Sequence, residues 1–330
     1  MNSAEKNNDK YVLVKAKGGM GNRMLCAMTG LLYGELASRK VVVDWRDMAY
    51  SNDGTNSFSR FFPHASVHPM TILPTDGAVT PDIWAGNLDK SMSELLHQFD
   101  PDKHSSPRIH RKYSVDVRRL DFKQDILIFW NYSHCIHHLM RHLRRTKHRF
   151  AGLSISRIMR EMLLDQFAPS EQLQEMIADF KAKNWCNTVI GVHIRHTNER
   201  RTNLSKYRLW LSKFLKQAPD AGIFLATDNQ TVMQEYHTTF DNVFSTTKWF
   251  PDSGSAMHQN KDCPDRFANG LDALLDMYLL AQCDYLIYPS VSTFSWISCL
   301  MSDAPREKIA DIQRFDPRVR TRRIIRRLLT

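Results

Sequence analysis

Short continuous apolar runs alternate with stretches of helical periodicity along most of the chain. Tyr11-Val12-Leu13-Val14-Lys15-Ala16 is apolar almost throughout, as a strand covered on both faces requires. Glycines at 18, 19 and 21 follow, and Met24 to Ala37 then carries apolar residues at helical spacing. Val41-Val42-Val43-Asp44-Trp45 is a β-branched run. Strand, glycine turn, helix and strand in that order predict a βαβ unit. Asn52 to Ser106 is rich in Pro, Ser, His and Asp and reads as loops and short helices.

Ile126-Leu127-Ile128-Phe129-Trp130 predicts another strand, and Ser133 to His148 a basic, His-rich helix. Ile155 to Lys183 is mostly helical, polar on one face, and fits a connector. A second alternating series then begins. Strands are expected at Val189–Ile194, Ile223–Thr227, Asn242–Phe244 and Tyr285–Tyr288. Helices are expected at Leu204–Leu215, Thr231–Thr239, Gly270–Gln282 and Thr293–Met301. Two such series around an irregular middle predict an α/β protein with two Rossmann-like halves, residues 1–184 and 185–330.

A length of 330 residues leaves room for two domains. With 42% apolar and 24% charged residues the composition is that of a globular protein, which excludes collagen, disordered-tail and disulfide-miniprotein classes. The net charge of +10 favours an anionic partner: phosphate, nucleic acid or an acidic membrane face. Much of the excess lies between Arg314 and Arg327. No RNP-type aromatic signature or other nucleic-acid motif accompanies it, which argues against nucleic acid. The tail from Arg318 to Leu329 mixes Arg pairs with Ile and Leu pairs, and suits either peripheral contact with an anionic bilayer or a last packed helix.

Six cysteines are scattered without a CxxC pair, the usage of a reducing compartment. Met1 to Lys10 is polar and lacks the apolar segment of a signal peptide. No stretch approaches the roughly 20 apolar residues of a membrane span. A cytoplasmic protein, peripheral to the inner membrane if its tail binds lipid, is the expectation.

Candidate chemistry gathers in a few places. Lys17-Gly18-Gly19-Met20-Gly21-Asn22-Arg23-Met24 sits between a strand and a helix, where backbone N–H groups can hold a phosphate. The same glycines fit a tight turn alone. A dinucleotide fingerprint would need Gly where Met24 stands, although Asp44 occupies the place of a ribose-binding acid. That leaves an NAD(P)-dependent oxidoreductase as one alternative and a non-catalytic basic module binding RNA or anionic lipid as another.

Gly191-Val192-His193-Ile194-Arg195-His196-Thr197-Asn198-Glu199 runs off the carboxyl end of a strand, where open α/β sheets bind ligands. Alternation puts His193 and Arg195 on one face, and the Arg fork suits a diphosphate. Ala226-Thr227-Asp228 and Ser290-Val291-Ser292-Thr293-Phe294-Ser295 close two further strands on the same rim. Ser and Thr there can cap a helix or donate to phosphate. Asp276 is an acid in an otherwise apolar helix, explained by a surface turn or by a hydrogen bond to a base edge. His134, His138 and His142 share a helical stripe of zinc-binding spacing, but Arg141, Arg144 and Arg145 oppose a cation, so no metal is expected.

With these residues assembled, the chain resembles the rhizobial nodulation α-1,6-fucosyltransferases and, more distantly, the animal core α-1,6-fucosyltransferase. The resemblance runs from about Lys15 to Met301 and is densest in the second half. It is carried by Val43-Asp44-Trp45-Arg46, Thr55-Asn56-Ser57-Phe58, Gly191 to His196, Ala226-Thr227-Asp228, Leu274 to Ala281 and Ser292 to Ser295. It implies a GT-B-like enzyme of two facing Rossmann-like domains. The second would bind GDP-fucose, the first would shape the acceptor side, and the reaction would be inverting and metal-independent. It also implies that Arg195 holds the donor diphosphate and that His193 and Asp276 lie near guanine and ribose. His196 and Asp228 would stand at the rim, with Ser292, Thr293 and Ser295 on the phosphate side. Glu199 is the candidate general base by its proximity to Arg195. Asn203 stands, by ungapped count, where the animal enzyme places a Glu.

Overall fold

A computed structural model describes residues 9–102, 109–196, 203–251, 262–317, 319 and 321. The first half is built on β1 (Tyr11–Lys15), α1 (Met20–Ala37), β2 (Lys40–Asp44), α2 (Phe58–Phe61), β3 (Val79–Thr80), α3 (Met92–Phe99), α4 (His110–Tyr113), β4 (Ile126–Phe129) and α5 (Ile136–Arg145). Two helices follow, α6 (Ile155–Gln166) and α7 (Glu171–Asn184). The second half contains β5 (Val189–Ile194), α8 (Leu204–Gln217), β6 (Gly222–Thr227), α9 (Gln230–Thr239), β7 (Val243–Phe244), α10 (Arg266–Ala281), β8 (Tyr285–Tyr288), α11 (Thr293–Met301) and β9 (Ile309–Asp311).

The strands form two separate sheets, ordered β2-β1-β4-β3 and β7-β6-β5-β8-β9, and every pairing is parallel. All residues of β1 and β5 are buried, which is why both read as unbroken apolar runs. Each sheet reverses its strand order once, between β1 and β4 and between β5 and β8. A crevice opens at the carboxyl ends of the strands at each such point.

The Ile155–Lys183 helix of the sequence reading is two helices. Pro169 cannot continue the first, and Ser170 caps the second through the amide of Leu173. The first helix begins at Met20, not Met24, so Gly21 lies inside it. The irregular stretch contains α3, whose Ser91 and Glu94 form a reciprocal capping box. The six cysteines are free thiols, and Cys299 is only half-buried.

One apolar core is shared by the halves and runs from β1 and α1 through α11 and α10 to Leu286, and a second, around Ile190, Val192, Leu211 and Ile287, lies within the second half alone. Phe61 of α2 stacks on Phe267 of α10 at 4.7 Å, and Gly270 lets α10 approach Phe61 and Tyr50. Arg160 of α6 donates to the carbonyls of Leu300 and Ser302 at the end of α11. No helix of the described residues is long and apolar enough to cross a membrane.

Candidate active site at the seam of the two halves

Arg195 follows the last residue of β5, and its side chain is 28% exposed with Nε 3.8 Å from Asp228 Oδ2. Asp228, just past β6, accepts from the His196 amide at 2.8 Å, and Asn229 donates to the His196 carbonyl at 3.0 Å. The ends of β5 and β6 are therefore stitched together, and Asp228 braces the Arg195–His196 turn. His193 is buried on β5, its ring stacked on Phe294 at 5.1 Å. Burial, aided by the charges of Arg195 and Lys248, pushes its pKa down to about 3, so the imidazole is neutral at physiological pH. Its Nδ1 has no hydrogen-bond partner among the described residues.

Across the switch point, Ser292 stands at the N-cap position of α11 but makes no capping bond. Its buried Oγ, and that of Ser295, lack partners among the described residues. The amides of a helix's first turn have no partner within the helix, so α11 presents donors beside β5. Thr293 is used otherwise. Its Oγ1 donates to Asn22 Oδ1 at 2.8 Å, tying α11 to the start of α1. A Cβ on Gly21 would lie 2.6 Å from the Thr293 carbonyl carbon, so this glycine serves the close approach of the two helices.

Two helix N-termini thus abut at the cleft between the halves. Arg23, buried in α1, donates to the Gly18 carbonyl at 2.6 Å and to Asp47 at 2.5 Å. Its Nη1 has no partner among the described residues. The guanidinium lies over the rings of Trp45 and Tyr50. Burial pushes the Tyr50 hydroxyl up to about 12, while the nearby charges of Arg23 and Arg195 oppose it. Tyr50 therefore marks where an arginine from each half comes close.

Asp276 is buried, not on a surface turn. Thr246 donates to its Oδ1 at 2.6 Å and Lys248 to its Oδ2, so both oxygens are engaged. Its place is beside His193, through Lys248. Asp272, one turn earlier on α10, is pushed up to about 6 by burial and by Asp276. Glu199 lies outside the described residues, as do Arg318, Arg320 and residues 322–330 of the tail. Asn203 caps α8 through the Ser205 amide at 3.0 Å.

Asp44 is not available to a ribose. Lys15 donates to it at 2.6 Å and Arg46 at 2.9 Å, and Lys15 also binds two backbone carbonyls. With Met24 standing, buried inside α1, where the fingerprint needs a glycine, and with Asp44 already engaged, the dinucleotide alternative loses its ribose-binding acid as well. His134 packs on Trp296 and His142 lies against the Arg118 carbonyl, so the histidine stripe is spread over different partners. Sequence reasoning missed Arg23, Tyr50, Thr246 and Lys248. Only Arg23, within the glycine motif, carried a signal.

Comparison with known proteins bears on the family and the fold. The family model of nodulation protein Z (NodZ) matches residues 156–324, the half in which the motifs are densest. Nodulation protein Z of Bradyrhizobium diazoefficiens is 23% identical over 327 residues, covering 91% of this chain and 80% of that protein. The crystal structure of NodZ α-1,6-fucosyltransferase soaked with GDP-fucose superposes with a TM-score of 0.59 at 19% identity, over 89% of this chain and 93% of that one. An Arabidopsis thaliana FUT1 mutant in complex with GDP gives a TM-score of 0.55 at 15% identity, over 93% and 73% of the two chains. The architecture is the GT-B-like pair of facing α/β halves that the resemblance implied. By the match of its second half to the family model, this chain belongs to the nodulation protein Z family.

Proposed function

We propose that the chain transfers fucose from GDP-fucose to a hydroxyl of a glycan, free or lipid-linked, with inversion and without a metal. The observation that carries this reading is the β5–β8 switch point. Arg195 stands there beside a buried, neutral His193 and a buried Ser292, whose Nδ1 and Oγ lack partners among the described residues. Buried polar groups normally find partners, and a nucleoside diphosphate supplies them. The family and the GDP-fucose-soaked structure that resembles this one support the same donor.

As fucose departs with oxocarbenium character, negative charge grows on the diphosphate. Arg195 and the first-turn amides of α11 are aimed to stabilise that charge, with Ser292 as a further donor. A guanidinium offers two parallel donors to phosphate oxygens. His193, held neutral, donates to the nucleoside without adding charge. Asp276 acts indirectly by clamping Thr246 and Lys248 against β5. Glu199 remains the base proposed to take the acceptor proton. We place the boundary between acceptor-side and donor-side domains after Asn184, where the two sheets separate. A cytoplasmic location fits six free thiols.

The test is incubation with GDP-fucose and a panel of oligosaccharides, in EDTA and in Mn²⁺, with GDP release and product anomeric configuration measured. An α-linked fucoside from the β-linked donor, formed equally in EDTA, supports the reading. A β-linked product or strict dependence on Mn²⁺ overturns the mechanism, and absence of transfer across a broad panel overturns the function.

A further inference from the structure

A cavity bordered by described residues lies far from the cleft. It occupies about 600 Å³ beside Cys283 and Asp284, immediately before β8, at the amino edge of the second sheet. The Arg195 cleft is at the opposite, carboxyl edge. Small-molecule sites typically measure about 300–1,000 Å³. Leu163, Phe167, Ile177, Tyr278 and Met301 supply an apolar wall, drawn from α6, the α6–α7 turn, α7, α10 and α11. Leu164 also lines it and is 55% exposed, so the apolar surface extends to solvent.

Charge at this cavity is one-sided in its availability. Asp303 is paired with Arg160 at 2.5 Å, and Asp284 accepts from the Val189 amide at 2.8 Å. Lys181 and Lys308 also line it. Lys181 donates to Gln282 at 2.7 Å and lies over Trp185, while Lys308 lies over Tyr285 at 4.7 Å. Neither ammonium has a carboxylate within ion-pair distance among the described residues. An apolar hollow with two ammonium groups still lacking an anion fits a ligand with a hydrocarbon body and a negative head.

We propose that this cavity binds a single-chain amphiphile with an anionic head group, its chain on Leu163, Phe167 and Met301 and its head between Lys181 and Lys308. The cavity is walled by both α6 and α7, which connect the halves, and by the ends of α10 and α11, which carry the seam. Its occupant would therefore touch both sides of the molecule at a distance from the donor.

Calorimetric titration of the full chain with dodecanoate, below its micellar concentration, tests this. One molecule should bind per chain, and dodecyltrimethylammonium and butyrate should not, since each lacks half of the match. The K181E/K308E double variant should weaken dodecanoate at least tenfold, and M301W, which fills the cavity, should abolish binding. If M301W fails to fold by circular dichroism, the surface charge reversal decides alone. Sedimentation with phosphatidylglycerol vesicles then separates the two sources of such a ligand. Cosedimentation lost in K181E/K308E assigns a bilayer lipid, and its absence alongside dodecanoate binding assigns a free amphiphile. No dodecanoate binding, or binding unchanged in both variants, overturns the proposal. The readout is binding, so it stands or falls apart from fucosyl transfer.

Discussion

Arg195 and His193 show how much a strand's two-residue period delivers. Their shared face is visible in the sequence, because side chains two apart on a strand point the same way. Arg195→Ala should lower transfer by about 100-fold or more, the usual loss when a preorganised donor to developing charge is removed. Its melting temperature should stay close to that of the parent, since the side chain is partly exposed. Arg195→Lys should rescue little, because a point charge lacks the fork. His193 carries a second prediction. Its folded pKa, near 3, lies below the ordinary value of 6.5. Between those values the unfolded chain binds the extra proton, so stability is full above pH 6.5 and declines as the pH falls toward 3. Denaturant titrations across that window should show the decline, and His193→Gln should flatten it. A slope unchanged in the variant would contradict a buried neutral imidazole. Lys248 and Thr246 were invisible at this scale, because 28 and 30 positions separate them from Asp276 and no periodic element links them.

Helix ends rather than helix faces build the cleft. The starts of α1 and α11 meet at Gly21 and Thr293, so the glycine motif that reads as a phosphate turn is also a helix-crossing device. Gly21→Ala should destabilise the protein by about 1–3 kcal/mol, the usual cost of overpacking, because backbone atoms of α11 must move. Chemical denaturation measures it, and a neutral effect would mean the helices are further apart. Ser292 separates the two roles open to a serine at a helix start. A working cap would cost about 1 kcal/mol on substitution. Ser292 makes no cap bond, so Ser292→Ala should leave stability nearly unchanged while weakening donor affinity several-fold. The existence and type of the long elements were legible because burial on both faces leaves apolar runs. The two-residue β3 and three-residue β9 were not, since edge pieces that short have no period to read; the equally short β7 was legible only from its place after α9 in the alternation.

At the scale of the molecule, the segments that carry the family likeness in the first half are mostly architecture. Asn56 accepts from the Trp45 amide at 3.0 Å and donates to the Val43 carbonyl at 2.6 Å, and Trp45 packs edge-on against Phe58 at 5.1 Å. This aromatic group meets α10 through Phe267. The likeness therefore marks a seam that fixes one half against the other, as well as the donor site. Because the core is continuous across it, a fragment of residues 185–330 would expose Phe267, Leu274 and Met301. It should show helical far-ultraviolet but little near-ultraviolet circular dichroism. A sharp near-ultraviolet spectrum from the fragment would show that the second half is self-sufficient. The two-halves layout was readable from alternation alone. The seam was not, because it is made of contacts far apart in the sequence, 140 positions for Arg160 with Leu300 and 214 for Asn52 with Arg266.

The central claim is that the β5–β8 switch point holds the diphosphate of GDP-fucose through Arg195. Calorimetric titration of GDP-fucose, GDP and NAD into the parent protein and Arg195→Ala, in EDTA, tests it most directly. One GDP or GDP-fucose per chain in the parent, weakened about 100-fold or more in Arg195→Ala, with no heat from NAD, is the result predicted. Undiminished binding in Arg195→Ala, or no GDP binding by the folded parent, would contradict it.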